Sequence, residues 1–108
     1  MPVYNKLVRD KILEVIEAEG LQYNAKILNT SEFKDSVKVK MKEEAQEFYE
    51  AKNINESIEE LADILELVHA AVNLLGVSYE ELDSIREQKK AKRGGFDKGI
   101  YLMDVIDI

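Results

Sequence analysis

The sequence predicts an all-α fold, a four-helix core built around a central antiparallel helix hairpin and assembled into an oligomer. Three observations carry this. Apolar residues recur at helical spacing in four separate segments, and the chain has one proline and five glycines. The breaks at Gly20, Asn53–Asn55, Gly76 and Gly94–Gly95 fall between those segments rather than inside them. At 108 residues the chain fits a single domain spanning residues 1–108, and 45% hydrophobic content supports a packed core rather than disorder.

Val8, Ile12, Val15 and Ile16 predict a short amphipathic first helix over residues 8–18, stopped by Gly20. Residues 21–28 are too few for another helix and read as a short strand. Thr30 or Ser31 is expected to cap a second helix, whose apolar positions Phe33, Val37, Met41, Phe48 and Ala51 carry it to Lys52. After the Asn53-Ile54-Asn55 interruption a third helix begins past Asn55 and runs to Leu75, with Gly76 as its C-terminal glycine. So short a connection makes these two helices antiparallel neighbours. Ser78-Tyr79-Glu80-Glu81 has capping-box spacing and opens a fourth helix that ends near Arg93, before Gly94-Gly95. In the tail, residues 99–102 read as a second short strand.

Acids outnumber bases 22 to 15, for a formal net charge of −7. That balance disfavours binding to a nucleic-acid polymer or an anionic membrane. The chain has no cysteine, which excludes disulfide and thiolate chemistry. Its first residues carry no apolar targeting stretch and no run reaches membrane-spanning length, so the cytoplasm is the expected location.

Projected at about 100° per residue, the third helix shows two apolar stripes. One holds Ile58, Leu61, Leu65, Val68 and Val72; the other holds Ile64, Leu67, Ala71 and Leu74. Glu60 and Asp63 continue the second stripe toward the helix N-terminus. On the second helix Glu44 falls between Met41 and Phe48 within the apolar stripe, and Glu47 lies at its edge. Acids therefore interrupt two core faces. Glu47 and Glu60 sit five residues from Lys52 and Asn55 respectively, and Glu44 and Asp63 sit eight from the same marks, which sets the pairs level in an antiparallel hairpin. Helix axes pack roughly 8–10 Å apart, close enough for these side chains to converge. Four carboxylates in a partly desolvated place repel one another, so a cation is expected among them. Hard oxygen ligands select Mg²⁺, with Mn²⁺ as a substitute; the missing cysteines and the lone His69 argue against zinc. A solvated acidic face is the ordinary reading of any single glutamate here, and the pairing across the hairpin is what outweighs it. The apolar surface of the third helix exceeds what one partner helix covers, which predicts self-association.

At these residues the chain resembles the all-α nucleotide pyrophosphohydrolases of the MazG and phosphoribosyl-ATP pyrophosphohydrolase group. The signature of that group, E-E-x-x-E followed by E-x-x-D, stands as Glu43-Glu44-Ala45-Gln46-Glu47 and Glu60-Leu61-Ala62-Asp63. The opening Tyr4-Asn5-Lys6-Leu7-Val8-Arg9-Asp10-Lys11 and the later Lys89-Lys90-Ala91-Lys92-Arg93-Gly94-Gly95-Phe96 are similar to one MazG-like subfamily. The resemblance implies a homodimer or homotetramer that cleaves a nucleoside triphosphate to its monophosphate and pyrophosphate, with Mg²⁺. It makes Glu44, Glu47, Glu60 and Asp63 the metal-holding and catalytic acids, and leaves Glu43 a supporting or merely surface role.

A leaving pyrophosphate needs cationic contacts beyond a metal, and Lys89, Lys92 and Arg93 are the first candidates. Bases in the last turn of a helix also simply complement its dipole. Lys6, Arg9 and Lys11 are candidate phosphate contacts that could equally pair with helix-one acids. His69 reads as a core histidine and the tyrosines as packing residues. A non-catalytic helical module, binding a nucleotide or a protein partner through the same hairpin, is the competing class.

Overall fold

The computed structural model describes residues 2–107, and among them four helices form in the expected order: α1 (Ile12–Ala18), α2 (Thr30–Glu50), α3 (Ile54–Leu75) and α4 (Tyr79–Arg93). No strand forms among the described residues, so the fold is all-α and the strands expected at residues 21–28 and 99–102 are absent. A strand needs a partner for its backbone ladder, and neither segment has one.

The helix ends show why the elements start and stop where they do. Asn29, in extended conformation, accepts the Glu32 backbone N–H through Oδ1 at 2.9 Å, while Glu32 Oε1 accepts the Asn29 N–H at 3.4 Å. This capping box makes Asn29, rather than Thr30 or Ser31, the cap of α2. At the hairpin turn Asn53 accepts the Glu56 N–H at 2.8 Å, and Glu56 accepts the Lys52 N–H at 3.0 Å. The turn therefore closes before Asn55, and α3 starts at Ile54. Gly76 ends α3 at φ 77°, a left-handed geometry that costs glycine least, and Val77 N–H then reaches back to the Val72 carbonyl at 3.0 Å. Ser78 Oγ accepts the Glu81 N–H at 3.0 Å to open α4, which departs at 110° to α3. α1 begins at Ile12 rather than Val8: residues 7–9 form no regular structure, and a turn closed by the Ile12 N–H to the Arg9 carbonyl at 3.1 Å leads into the helix.

α2 and α3 pack side by side as the central hairpin, α4 touches α3, and the Cα atoms of α1 stay more than 8 Å from those of every other helix. Val37 and Val72 are the buried apolar residues among those described, and Glu44 is buried as well. The chain is extended, with a radius of gyration of 18.6 Å against about 13 Å for a compact domain of this length. Its accessible surface is 10105 Å², where a compact monomer of 12.4 kDa would expose roughly 6,100 Å². Part of the difference lies on α3, where Ile58, Leu61 and Leu65 of the first apolar stripe are open to solvent. No single helix among the described residues is long and apolar enough to cross a membrane.

Candidate metal centre

The hairpin places acids where the helical projection puts them. Along α2 the inward-facing row runs Phe33, Val37, Met41 and then Glu44, which is only 6% exposed. From α3, Glu60 meets it half-buried, and Glu47 joins from the exposed edge of α2. One carboxylate oxygen from each of Glu44, Glu47 and Glu60 lies within 4.8 Å of the others. Glu44 Oε2 and Glu60 Oε2 are buried and have no hydrogen-bond partner. Buried acceptors are rarely left unpaired, because losing water without a replacement bond costs free energy.

The electrostatics of this cluster register in Glu60, whose carboxyl is pushed up to about 7. The largest cause is its contact with Glu44; desolvation and Glu47 add to it. Ionised carboxylates are acceptors only, so two of them can share a hydrogen bond only when one holds a proton. An all-oxygen set with two orphaned acceptors is suited to a hard divalent cation, and Glu44, Glu47 and Glu60 are the residues that could hold one.

Asp63 stands apart from the three. Its Oδ1 accepts a hydrogen bond from Arg9 Nη2 at 2.6 Å, an ion pair that ties the N-terminal arm to α3. Lys40 caps the opposite side, with Nζ 3.6 Å from Glu44 and 3.4 Å from Glu43. Sequence reasoning missed Lys40, although its i, i+4 spacing to Glu44 was the available signal. Glu43 thus sits on the outer side of α2, paired with Lys40.

The remaining sequence candidates fall elsewhere. Lys6 lies 5.4 Å over the Tyr4 ring, and Lys11 is the residue before α1. Lys89, Lys92 and Arg93 are exposed at the far end of α4, and among the described residues no hydrogen bond or ion pair joins them to the acids. α4 is 15 residues long and leaves α3 at 110°, so helix geometry carries its end roughly 20 Å to the side of the α3 axis. His69 stacks on Tyr79 with ring centroids 4.1 Å apart, a packing contact rather than a place in the acidic cluster.

The family model for phosphoribosyl-ATP pyrophosphohydrolase matches residues 4–90. The chain belongs to that family. The matched stretch contains the arm with Arg9, all four acids and Lys89, and stops before Lys92 and Arg93. No curated protein and no solved structure matches the chain. Membership in the phosphoribosyl-ATP pyrophosphohydrolase family points to a hydrolase of the pyrophosphohydrolase type.

Proposed function

We propose that the chain is a Mg²⁺-dependent nucleoside triphosphate pyrophosphohydrolase that releases a nucleoside monophosphate and pyrophosphate, with ribo-, deoxyribo- or non-standard triphosphates as the substrate class. The observation that carries the reading is the pair of buried, unpartnered oxygens on Glu44 and Glu60 inside an all-oxygen cluster, in a member of a pyrophosphohydrolase family. Glu44, Glu47, Glu60 and Asp63 are the residues assigned to hold Mg²⁺, with Mn²⁺ as a substitute. When bound, such a cation neutralises phosphate oxygens and makes water a better nucleophile.

The chain's own groups supply the rest. Burial keeps the Glu44 carboxylate largely away from bulk water, and Lys40 lies 3.6 Å from its Oε1. Water attacks the α-phosphorus, the bond to the bridging oxygen breaks, pyrophosphate leaves, and the proton passes to a carboxylate of the cluster. Lys89, Lys92, Arg93, Lys6 and Arg9 remain the proposed phosphate contacts.

The proposal extends to assembly and setting. Each chain exposes roughly 4,000 Å² more than a compact monomer of its mass, and a homodimer interface taking half of that from each chain would bury about 4,000 Å² in total, within the range of obligate interfaces. Open Ile58, Leu61 and Leu65 on α3 give it an apolar centre. A homodimer or homotetramer in the cytoplasm, acting on free nucleotides and not on nucleic-acid polymers or membranes, fits these properties.

The test is a panel of common and damaged triphosphates incubated with Mg²⁺ or Mn²⁺, with pyrophosphate measured. Wild type should release it, and Glu60→Gln and Asp63→Asn, checked for retained helicity by circular dichroism, should not. Absence of pyrophosphate across the whole panel would overturn the assignment and favour a non-catalytic binding module.

A further inference from the structure

We propose that Arg9 is an exchangeable counter-ion, which pairs with Asp63 outside the cluster of the other three carboxylates and must leave when Asp63 joins them around a cation. The proposal rests on the metal reading given above and adds a linkage between metal loading and the N-terminal arm.

Asp63 follows Glu60 by three residues on α3, a spacing that puts both side chains on one side of the helix. Even so, the cluster within 4.8 Å takes in Glu44, Glu47 and Glu60 and leaves Asp63 out. What Asp63 has instead is Arg9, at 2.6 Å. This bond spans 54 positions of sequence, whereas every other side-chain hydrogen bond among the described residues links groups no more than six apart. It is therefore the one side-chain hydrogen bond fastening the arm to the hairpin.

The rest of the arm is lightly held. Asn5, Lys6 and Leu7 share an open cleft with Ser36, Val39 and Lys40 of α2, and α1 packs on no other helix. Lys40 lines that cleft and also pairs with Glu44, so the seat of the arm borders the acidic cluster as well. Arg9 and Asp63 are 59% and 38% exposed. An ion pair in such a setting is worth little against water, which suits a contact made to be exchanged. Glu44, Glu47, Glu60 and Asp63 outnumber the two cations that touch them, Lys40 and Arg9, so the group keeps a net negative charge even with one proton on Glu60. Removing Arg9 from Asp63 raises the attraction for a divalent cation further.

The expected behaviour follows from linkage. Arg9 and the cation compete for one carboxylate, so deleting the guanidinium favours the cation by the strength of the pair, about two- to fivefold in affinity. Isothermal titration of the full chain with Mn²⁺ and with Mg²⁺ reads this directly. Arg9→Gln should bind either metal about two- to fivefold more tightly than wild type, while Lys11→Gln, which removes an equal charge from the same arm but not from Asp63, should bind as wild type does. Limited digestion with a non-specific protease should cut within residues 5–11 faster in wild type when Mn²⁺ is added, and equally fast in Arg9→Gln without it. Unchanged or weaker metal binding in Arg9→Gln, an equal gain in Lys11→Gln, or arm cleavage that does not respond to Mn²⁺ would overturn the proposal. No metal binding by the wild-type chain or by Arg9→Gln would instead bring down the metal reading beneath it, so the two failures are separable.

Discussion

Replacing Glu44 by Gln should make the protein more stable without metal while weakening its response to Mg²⁺. Glu44 is 6% exposed, its Oε2 has no partner, and two further carboxylates lie within 4.8 Å. A buried acceptor left unsatisfied on a charged group costs about 1–3 kcal/mol or more. Glutamine has the same shape, carries no charge and presents donors that the facing carboxylate oxygens can accept. The substitution loses the Lys40 contact, but that contact is long at 3.6 Å and Lys40 keeps Glu43 at 3.4 Å, so the loss offsets the gain by about 1 kcal/mol. A net gain of about 1–2 kcal/mol corresponds to a rise of at least about 5 °C in melting temperature for a domain of this size. Mg²⁺ at a hundredfold excess over its Kd should stabilise wild type by about 2.7 kcal/mol and the variant far less. Differential scanning calorimetry at fixed protein concentration, with chelator and then with Mg²⁺, measures both effects. A variant that melts at or below wild type without metal, together with no response to Mg²⁺ in either protein, would refute the reasoning and mark the acids as a solvated face.

Other expectations come from the same geometry. Glu60 titrates at about 7 in the fold against an ordinary 4.5, so the native state holds this proton more tightly than the unfolded chain does. Its stabilising contribution is complete below pH 4.5 and is lost as pH rises through about 7. The metal-free melting temperature should therefore carry a declining component across that window, one that Glu60→Gln removes, and Mg²⁺ affinity should rise across it because binding displaces the proton. A pH profile identical in wild type and Glu60→Gln would contradict this. Leu61→Glu combined with Leu65→Glu places charge in the open stripe of α3 and should shift the particle mass in light scattering from an oligomer to a single chain; a wild-type chain that already scatters as a monomer would count against the assembly. Asn29→Ala removes one side of the α2 capping box and should destabilise by about 1 kcal/mol in thermal unfolding, with metal affinity unchanged.

Much of this was legible in the sequence because the hairpin obeys simple periodicity. The 3.6-residue repeat put Glu44 in the apolar row with Val37 and Met41, and it is buried there. Counting outward from the turn placed Glu47 and Glu60 level, and they meet. The same count set Asp63 level with Glu44, yet Arg9 holds it, because a contact from 54 residues away leaves no trace in local spacing. The helix caps were misplaced for a smaller reason. Asn29 and Asn53 each stand three residues before a glutamate, the same pattern that correctly identified Ser78, but Thr30 and Asn55 competed as neighbours. The two expected strands rested on short apolar runs alone, and a strand also requires a partner that no local pattern specifies. The basic end of α4 joined the acids on chemical grounds, whereas the 110° turn at Gly76 sets its direction.

The most direct test of the account is hydrolysis of a nucleoside triphosphate in water enriched with oxygen-18, followed by phosphorus NMR. Attack at the α-phosphorus predicts one heavy oxygen in the nucleoside monophosphate, unlabelled pyrophosphate, and dependence on Mg²⁺ that is lost in Glu60→Gln. Label in orthophosphate or pyrophosphate, or turnover that persists in Glu60→Gln, would contradict the role given to the hairpin carboxylates.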